Sequence, residues 1–157
     1  CITADFLKAF DKVSHSSIFK APLDHFDLDK YSIAWLLSYL SEQIQRVHNN
    51  SFSAKWKPCL SGVPQGSILG PTLFAMVINS FHVVNLNSKC IFYADDLSIV
   101  HTVSKDYPDH SQSEMDNLTS WSAQQRLFLN PKKCFTMTFF KNKELLVPPI
   151  NILNEPL

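Results

Sequence analysis

Two short apolar segments separated by three residues constrain the fold of this chain most strongly. Residues 90–93 (Cys-Ile-Phe-Tyr) and 97–100 (Leu-Ser-Ile-Val) flank Ala94, Asp95 and Asp96. Short apolar runs divided by turn-forming residues predict a β-hairpin. The hairpin predicts an antiparallel sheet that carries both acids at one end.

The rest of the chain alternates between helical and extended patterns. Strands are predicted over 2–6 and 134–140, a hairpin over 46–56 that turns at Asn49-Asn50, a Pro/Gly-rich loop over 58–70, and helices over 15–26, 29–46 (with Asp29 as N-cap), 71–84 and 107–127. At 157 residues the chain is long enough for one domain. The order of elements predicts an α+β fold, an antiparallel sheet with helices packed on one face.

Composition excludes several classes of protein. The chain is 45% hydrophobic and only 18% charged, which is typical of a globular protein rather than a disordered one. Its 14 basic and 14 acidic side chains balance, so any nucleic-acid contact must be local. Residues 58–88 carry no Lys, Arg, Asp or Glu, but prolines and polar residues interrupt this stretch, so we expect no membrane span.

The cysteines and the N-terminal sequence indicate a cell compartment. The four cysteines are far apart and form no ligand pair with His, and no secretory leader is recognisable. We therefore expect reduced thiols in an intracellular protein, in the nucleus or the cytoplasm.

The acidic pair has two interpretations. Adjacent carboxylates crowded at a turn repel each other unless a cation or protons intervene. Hard divalent cations such as Mg²⁺ prefer carboxylate oxygens, and pairs of such ions catalyse phosphoryl transfer. Aspartate is also a common turn former. The Asp95-Asp96 dipeptide alone leaves both interpretations open.

Three blocks in order carry a more specific signal. They are residues 5–11 (D-F-L-K-A-F-D), 61–71 (S-G-V-P-Q-G-S-I-L-G-P) and 92–96 (F-Y-A-D-D). They resemble motifs A, B and C of reverse transcriptases, and their amino-acid sequences are most similar to those of non-long-terminal-repeat, LINE-type retrotransposon enzymes. Residues 130–134 (N-P-K-K-C) resemble the motif D region. The resemblance covers nearly the whole chain and implies a polymerase-type palm fold.

The resemblance also implies an activity, namely RNA-directed DNA polymerisation. The substrates would be deoxynucleoside triphosphates, a DNA primer and an RNA template, and the cofactor two Mg²⁺ ions, with Mn²⁺ as a substitute; protein partners stay open. Matching the motifs residue by residue implies four groups of site residues. The catalytic residues would be Asp5, Asp95, Asp96 and Lys132, the last as proton donor to pyrophosphate. The metal ligands would be Asp5, Asp95, Asp96 and the Phe6 carbonyl. Nucleotide contacts would come from Phe6, Phe10 (the steric gate), Gln65 and Gly66, and nucleic-acid contacts from Tyr93 and Lys133.

Several of these site assignments have an ordinary structural alternative. With 12 phenylalanines in the chain, Phe10 fits equally well as a core residue. Gln65 and Gly66 fit a plain turn, and Lys132 and Lys133 fit a solvated loop. The sequence also departs from the family pattern, with Leu7 in place of a small polar residue and Ser80 where many relatives have Asp.

The position of motif A near residue 1 predicts a partial palm domain over 1–157, without the N-terminal fingers and without the thumb. Because positioning supplies much of phosphoryl-transfer catalysis, we expect weak or no activity from this chain alone. One alternative is a non-catalytic remnant or co-opted fold that binds nucleic acid or protein. Another is a different palm-type enzyme such as a nucleotide cyclase, although that class does not need the loop over 61–71.

Overall fold

The computed structural model describes residues 1–25, 27–104, 108–139, 148–152 and 155–156. In chain order its elements are β1 (Ile2–Ala4), α1 (Ala9–Lys12), α2 (His15–His25), α3 (Lys30–Leu40), β2 (Ile44–Gln45), β3 (His48–Asn49), β4 (Phe52–Ser53), β5 (Lys57–Pro58), α4 (Gly70–Ile78), β6 (Ser88–Tyr93), β7 (Asp96–His101), α5 (Ser111–Gln124), β8 (Phe135–Thr136), β9 (Asn151–Ile152) and β10 (Glu155–Pro156). The chain divides into two compact units. The first consists of Cys1–Ala9 with Phe81–Leu157, and the second of Phe10–Ser80.

A four-stranded antiparallel sheet organises the first unit, in the order β6-β7-β1-β8. Between β1 and β7 the register pairs Ala4 with Leu97 and Ile2 with Ile99. All four side chains are at most 1% exposed. Because side chains alternate between the two faces of a strand, one face of the sheet is core. The alternate residues of the strands, such as Ile91 of β6, point to the opposite face, which is open to solvent.

Helix α5 supplies further core to this unit. Met115 and Leu118 of the helix, and Leu127 just after it, are fully buried, as their spacing predicts. The helix is shorter at both ends than the predicted range 107–127, of which Tyr107 lies outside the described residues.

In the second unit, α2 contacts both α3 and α4. Helix α3 begins at Lys30 because the carboxylate of Asp29 accepts hydrogen bonds from the backbone N–H groups of Tyr31 at 2.7 Å and Ser32 at 3.1 Å. This confirms the predicted N-cap. Helix α4 has Pro71 in its first turn, where the missing N–H costs no helical hydrogen bond.

The predicted C-terminus of helix 29–46 is wrong, because α3 ends at Leu40. Ser41 is extended, and both its N–H and its hydroxyl donate to the Leu37 carbonyl. Glu42 follows with a φ of 57°, which a helix does not allow. Ile44, whose spacing fits the helix, belongs instead to β2, which pairs with β5.

Three more elements are shorter than predicted, and the hairpin predicted over 46–56 turns at Asn50-Ser51 rather than at Asn49-Asn50. Strand β1 ends at Ala4 rather than Phe6. Helix α4 ends at Ile78 rather than Val84. The strand predicted over 134–140 contains only Phe135–Thr136, because β1, with which it pairs, is itself three residues long. The last predicted residue of that strand, Phe140, lies outside the described residues.

The prediction of a mixed α+β fold with an antiparallel sheet is confirmed. Within the described ranges, no helix combines the length and the apolar character that crossing a bilayer requires.

Candidate active site

The two predicted acids of the hairpin lie at the turn between β6 and β7. The last pair of the ladder joins Tyr93 to Asp96, which leaves Ala94 and Asp95 as a two-residue turn. Ala94 has a φ of 53°, the sign that the first central position of a primed hairpin turn requires. Asp95 is half-buried and Asp96 is exposed. The hairpin turn thus brings both acids to one end of the sheet.

Asp5 reaches the same end of the sheet from the neighbouring strand. The β1–β7 register ends with Ala4 opposite Leu97, and continuing it by one step sets Asp5 opposite Asp96. Two residues farther from this end of the sheet on each strand, the hydroxyl oxygens of Thr3 and Ser98 lie 3.5 Å apart on the face away from the core. Because side chains alternate along a strand, Asp5 and Asp96 occupy that face too. Acids far apart in sequence are therefore brought to the same end of the sheet because β1 and β7 are sheet neighbours.

A turn that follows Leu129 holds the carboxylate of Asp5. The N–H of Asn130 donates to the Asp5 carbonyl at 2.9 Å, and its side-chain amide donates to Oδ2 at 3.3 Å. The Nζ of Lys133 lies 3.4 Å from Oδ1. The Lys133 side chain is 66% exposed, so this ion pair is weak and Lys133 is an exchangeable counterion.

Two other predicted residues of this unit lie in solvent. Lys132, the predicted proton donor, is exposed in the same turn. Tyr93, predicted to contact nucleic acid, is 81% exposed at the end of β6. Of the two adjacent lysines, Lys133 is the one whose ammonium group lies beside an acid of the site.

The three acids form a donor set that suits a hard divalent cation, because carboxylate oxygens are the ligands that Mg²⁺ prefers. In the described part of the chain, however, no three His, Cys, Asp or Glu side chains lie close enough together to hold an ion. Both carboxylate oxygens of Asp5 instead face the donors of Asn130 and Lys133. A metal ion at this end of the sheet would therefore share the Asp5 carboxylate with these partners or displace one of them.

Phe6 can contribute only its backbone to such a site. Its side chain is 3% exposed, and its ring centroid lies 6.3 Å from that of Trp121. Nearby, burial raises the pKa of the Cys134 thiol, whose sulfur lies 3.9 Å from the Asp5 carbonyl oxygen. Cys134 is therefore a protonated thiol at neutral pH.

The remaining predicted nucleotide-binding residues belong to the second unit. Phe10 is half-buried and stacks on Phe74, with ring centroids 4.4 Å apart and an interplanar angle of 27°. The carbonyl of Phe10 accepts a hydrogen bond from the N–H of Val63 at 2.8 Å. The ring is thus fixed on one side by packing, while part of its surface stays open.

The loop over 61–69 packs its backbone against residues 10–13. The N–H of Gly62 donates to the Val13 carbonyl at 2.7 Å, and the side-chain amide of Gln65 donates to the Asp11 carboxylate at 2.6 Å. Gly62 has a φ of 83°, and a Cβ there would lie 2.7 Å from the Asp11 carbonyl oxygen. Gly66 has a φ of 80°, but among the described residues no atom lies within 4 Å of where its Cβ would be. Gly66 therefore leaves space beside its backbone for a ligand.

Sequence reasoning did not single out three residues that position predicted site residues within their own units, namely Asn130 in the first unit and Asp11 and Gly62 in the second. All three lie inside the quoted motif blocks, so the signal was present. Their roles cannot be read from the sequence, because each depends on a contact in the folded chain: Asp11 holds Gln65, and Asn130 holds Asp5.

A buried carboxylate fixes the segment that leads into β6. Glu114 is 0% exposed and accepts hydrogen bonds from the N–H groups of Val84 at 3.2 Å and Asn85 at 2.9 Å. Burial acts to raise the pKa of Glu114, but these bonds, with others from the side chains of Asn85 and Ser88, bring it below its usual value. On β6, burial, assisted by the charge of Glu114, raises the pKa of the Cys90 thiol to about 11.

Comparisons with known proteins identify the family of the chain. A family model described as reverse transcriptase (RNA-dependent DNA polymerase) matches residues 1–152. The chain is 28% identical over 145 residues to the RNA-directed DNA polymerase from mobile element jockey of Drosophila melanogaster, covering 86% of this chain and 16% of that protein. It is similarly 28% identical over 153 residues to the jockey polymerase of Drosophila funebris, covering 86% of this chain and 16% of that protein.

A more distant relative comes from a different element. The chain is 24% identical over 150 residues to the retrovirus-related Pol polyprotein from type-1 retrotransposable element R2 of Popillia japonica, covering 87% of this chain and 24% of that protein. The chain thus spans between about a sixth and a quarter of the length of these relatives.

Proposed function

The chain belongs to the reverse transcriptase (RNA-dependent DNA polymerase) family, in its non-long-terminal-repeat retrotransposon branch, and from this premise we propose that it is the palm core of an RNA-directed DNA polymerase. The polymerase would add deoxynucleoside triphosphates to the 3′-end of a DNA primer on an RNA template. Fingers and thumb would come from other parts of a longer polypeptide.

One observation carries the proposal. Strand β1 leads directly into Asp5 and is paired antiparallel with β7, which begins at Asp96, at the end of the sheet where Asp95 occupies the hairpin turn. Three carboxylates at one strand end are unfavourable for folding by themselves, because like charges repel. Their chemistry suits a site that holds cations and binds a polyphosphate through them.

We propose that this site takes two Mg²⁺ ions, for which Mn²⁺ can substitute. Asp5, Asp95 and Asp96 would hold them, with the backbone carbonyl of Phe6. When bound, such ions lower the pKa of a primer hydroxyl and stabilise the charge on the leaving pyrophosphate. The protein's part is to present the carboxylates on adjacent strands and to release Asp5 from Lys133.

The second unit would bind the incoming nucleotide. Phe10 would exclude a ribose 2′-hydroxyl with the open part of its ring, because its other side is fixed against Phe74. Gln65, held by Asp11, and Gly66, with open space beside its backbone, would contact the nucleotide.

Residues of the first unit would complete the reaction. Lys132 would protonate the leaving pyrophosphate, and its exposure keeps it free to do so. Tyr93 and Lys133 would contact the primer or template, Lys133 after it has left Asp5.

Two assays on the 157-residue chain test the proposal. Binding of Mn²⁺ is measured by electron paramagnetic resonance, and addition of one deoxynucleotide to a labelled primer on an RNA template is measured on a sequencing gel. The double variant Asp95→Asn/Asp96→Asn should lose Mn²⁺ binding and any primer extension, whereas Asp116→Asn, which removes an exposed acid on α5, should keep the Mn²⁺ affinity and the extension level of the unmodified chain. Because extension by this chain alone is expected to be weak or absent, Mn²⁺ binding decides, and equal Mn²⁺ affinity of the double variant and the unmodified chain would reject the proposal.

A further inference from the structure

The hairpin between β2 and β5 has an irregular ladder. At its base Gln45 pairs with Lys57. Closer to the tip, the Val47 carbonyl accepts a hydrogen bond from the N–H of Ala54 at 2.9 Å. Between these two pairs one strand has one residue and the other has two, so the ladder contains a β-bulge.

The bulge places Lys55 and Trp56 opposite the single residue Arg46. The guanidinium carbon of Arg46 lies 4.5 Å from the centre of the Trp56 ring, within cation–π range. This contact steadies an indole ring that is still 56% exposed. One face of the ring is covered by a cation and the rest is available to a ligand.

A second aromatic ring lies near the tip of the hairpin. Phe52 pairs across the ladder with Asn49 and is 67% exposed. The ring therefore contributes little to the core of its unit. Because Asn49 and Arg46 are three residues apart on one strand, Phe52 lies on the opposite face of the hairpin from Trp56. Trp56 is therefore the exposed ring on the face that carries Arg46, and an exposed aromatic ring held by a ladder is typical of a binding surface.

The charge of the hairpin has one sign. Arg46, Lys55 and Lys57 are all exposed. The sequence contains no Asp or Glu from Gln43 to Ala94, although the chain as a whole balances 14 acidic against 14 basic residues. The local excess of positive charge is thus uncompensated by neighbours in sequence and complements a polyanion.

We propose that the hairpin over 44–58 binds single-stranded nucleic acid. An unpaired base would stack on Trp56, while Arg46, Lys55 and Lys57 contact the phosphates. Aromatic platforms interleaved with cations are the means by which proteins bind single strands without reading sequence, and duplexes bind such platforms poorly because their bases are already stacked. The site needs none of the acids of the first unit, so it goes beyond the polymerase chemistry and is independent of it.

Fluorescence anisotropy of the full chain tests the stacking contact. The probes are fluorescein-labelled RNA and DNA strands of roughly 12 nucleotides, the length that one stacking surface occupies. EDTA is present and nucleotides are absent, so metal binding and polymerisation play no part. Trp56→Ala should weaken binding about fivefold or more, since each stacked base contributes at least that factor. Trp56→Phe, which keeps a ring, should retain most of the affinity.

Trp35→Ala is the matched control, because Trp35 is also 56% exposed and lies on α3. It should leave the affinity unchanged. The proposal is overturned if the chain binds neither strand, if Trp35→Ala weakens binding as much as Trp56→Ala, or if a duplex of the same length binds as tightly as its single strands.

The phosphate contacts are tested by salt dependence. In the double variant Lys55→Gln/Lys57→Gln, the slope of log affinity against log salt should fall by about 1.4, from roughly 0.7 for each phosphate contact on a single strand. The control Lys12→Gln/Lys20→Gln removes two exposed lysines from other parts of the same unit and should not change the slope. Binding that depends on Trp56 but not on salt would indicate an apolar protein partner and would overturn the proposal.

Discussion

The ammonium group of Lys133 lies 3.4 Å from the Oδ1 atom of Asp5, and the two residues are 128 positions apart in the sequence. Asp5 is the acid of the first motif block, and Lys133 belongs to the last. In the structure a lysine therefore occupies one oxygen of a carboxylate that is proposed to bind a cation. The positive charge of the lysine repels a divalent cation beside the same carboxylate, so the two compete for Asp5.

Removing this lysine should raise the affinity for divalent cations. Lys133→Met should bind Mn²⁺ about two- to fivefold more tightly, which corresponds to the strength of an exposed ion pair. Lys132→Met is the matched control, because it removes the same charge from the adjacent exposed position. Electron paramagnetic resonance of free Mn²⁺ measures both. If the two variants bind Mn²⁺ with the same affinity, Lys133 does not compete for Asp5.

The buried carboxylate of Glu114 should be required for stability. Glu114→Gln keeps the shape but turns one acceptor into a donor that faces the N–H groups of Val84 and Asn85. A hydrogen bond to a charged group contributes about 1.5–3 kcal/mol, so we expect the free energy of unfolding to fall by about that amount. Urea denaturation measures it. The exposed Glu42→Gln should change the free energy of unfolding little, and an equal loss in both variants would contradict the prediction.

The same residue should give stability an acid-dependent component. The folded state lowers the pKa of Glu114 below 4.5, so folding favours the ionised carboxylate. Its contribution is therefore complete above about pH 4.5 and is lost as the pH falls through the lowered pKa. Comparing urea denaturation of the unmodified chain and Glu114→Gln between pH 7 and pH 3 should show the two converging at the acid end. A difference that stays constant over this range would contradict the assignment.

Local patterns predicted the elements whose constraints are local. Asp29 caps α3 because its carboxylate reaches N–H groups two and three residues ahead, a contact the sequence displays directly. The end of the same helix was mispredicted because Ile44 keeps helical spacing, while the deciding event is the pairing of β2 with β5. That pairing depends on residues from the other side of the hairpin, which periodicity cannot show.

Some features of the candidate site were likewise predictable from local patterns, and others depend on tertiary contacts. Asp95 and Asp96 at the turn followed from the apolar runs on either side, and the pairing of β1, which precedes Asp5, with β7, which begins at Asp96, agrees with the motif order. The ion pair of Asp5 with Lys133 could not be predicted, because it depends on how the turn after Leu129 is placed against the end of β1. The roles of the three acids in metal binding stay predictions.

The two left-handed glycines of the loop over 61–69 form a natural pair for mutation. Gly66→Ala should cost about 1–2 kcal/mol, the penalty of a left-handed conformation alone, because the space around it is open. Gly62→Ala should cost clearly more, since its Cβ would also lie 2.7 Å from the carbonyl oxygens of Phe10 and Asp11. Thermal or urea denaturation ranks the two variants. Equal losses would mean that the loop is not held against those carbonyls.

The hairpin turn itself carries strain that one substitution should relieve. Ala94 has a φ of 53°, which costs a residue with a Cβ about 1–2 kcal/mol, and glycine adopts that conformation freely. Ala94→Gly also makes the unfolded chain more flexible, so the net gain should be only about 0.5 kcal/mol in free energy of unfolding. Ala34→Gly, in the exposed interior of α3, should instead lose about 1 kcal/mol, because there glycine only weakens a helix. Opposite signs for the two variants in urea denaturation are the expected result. A loss in both would show that the backbone at Ala94 is not strained in the folded chain.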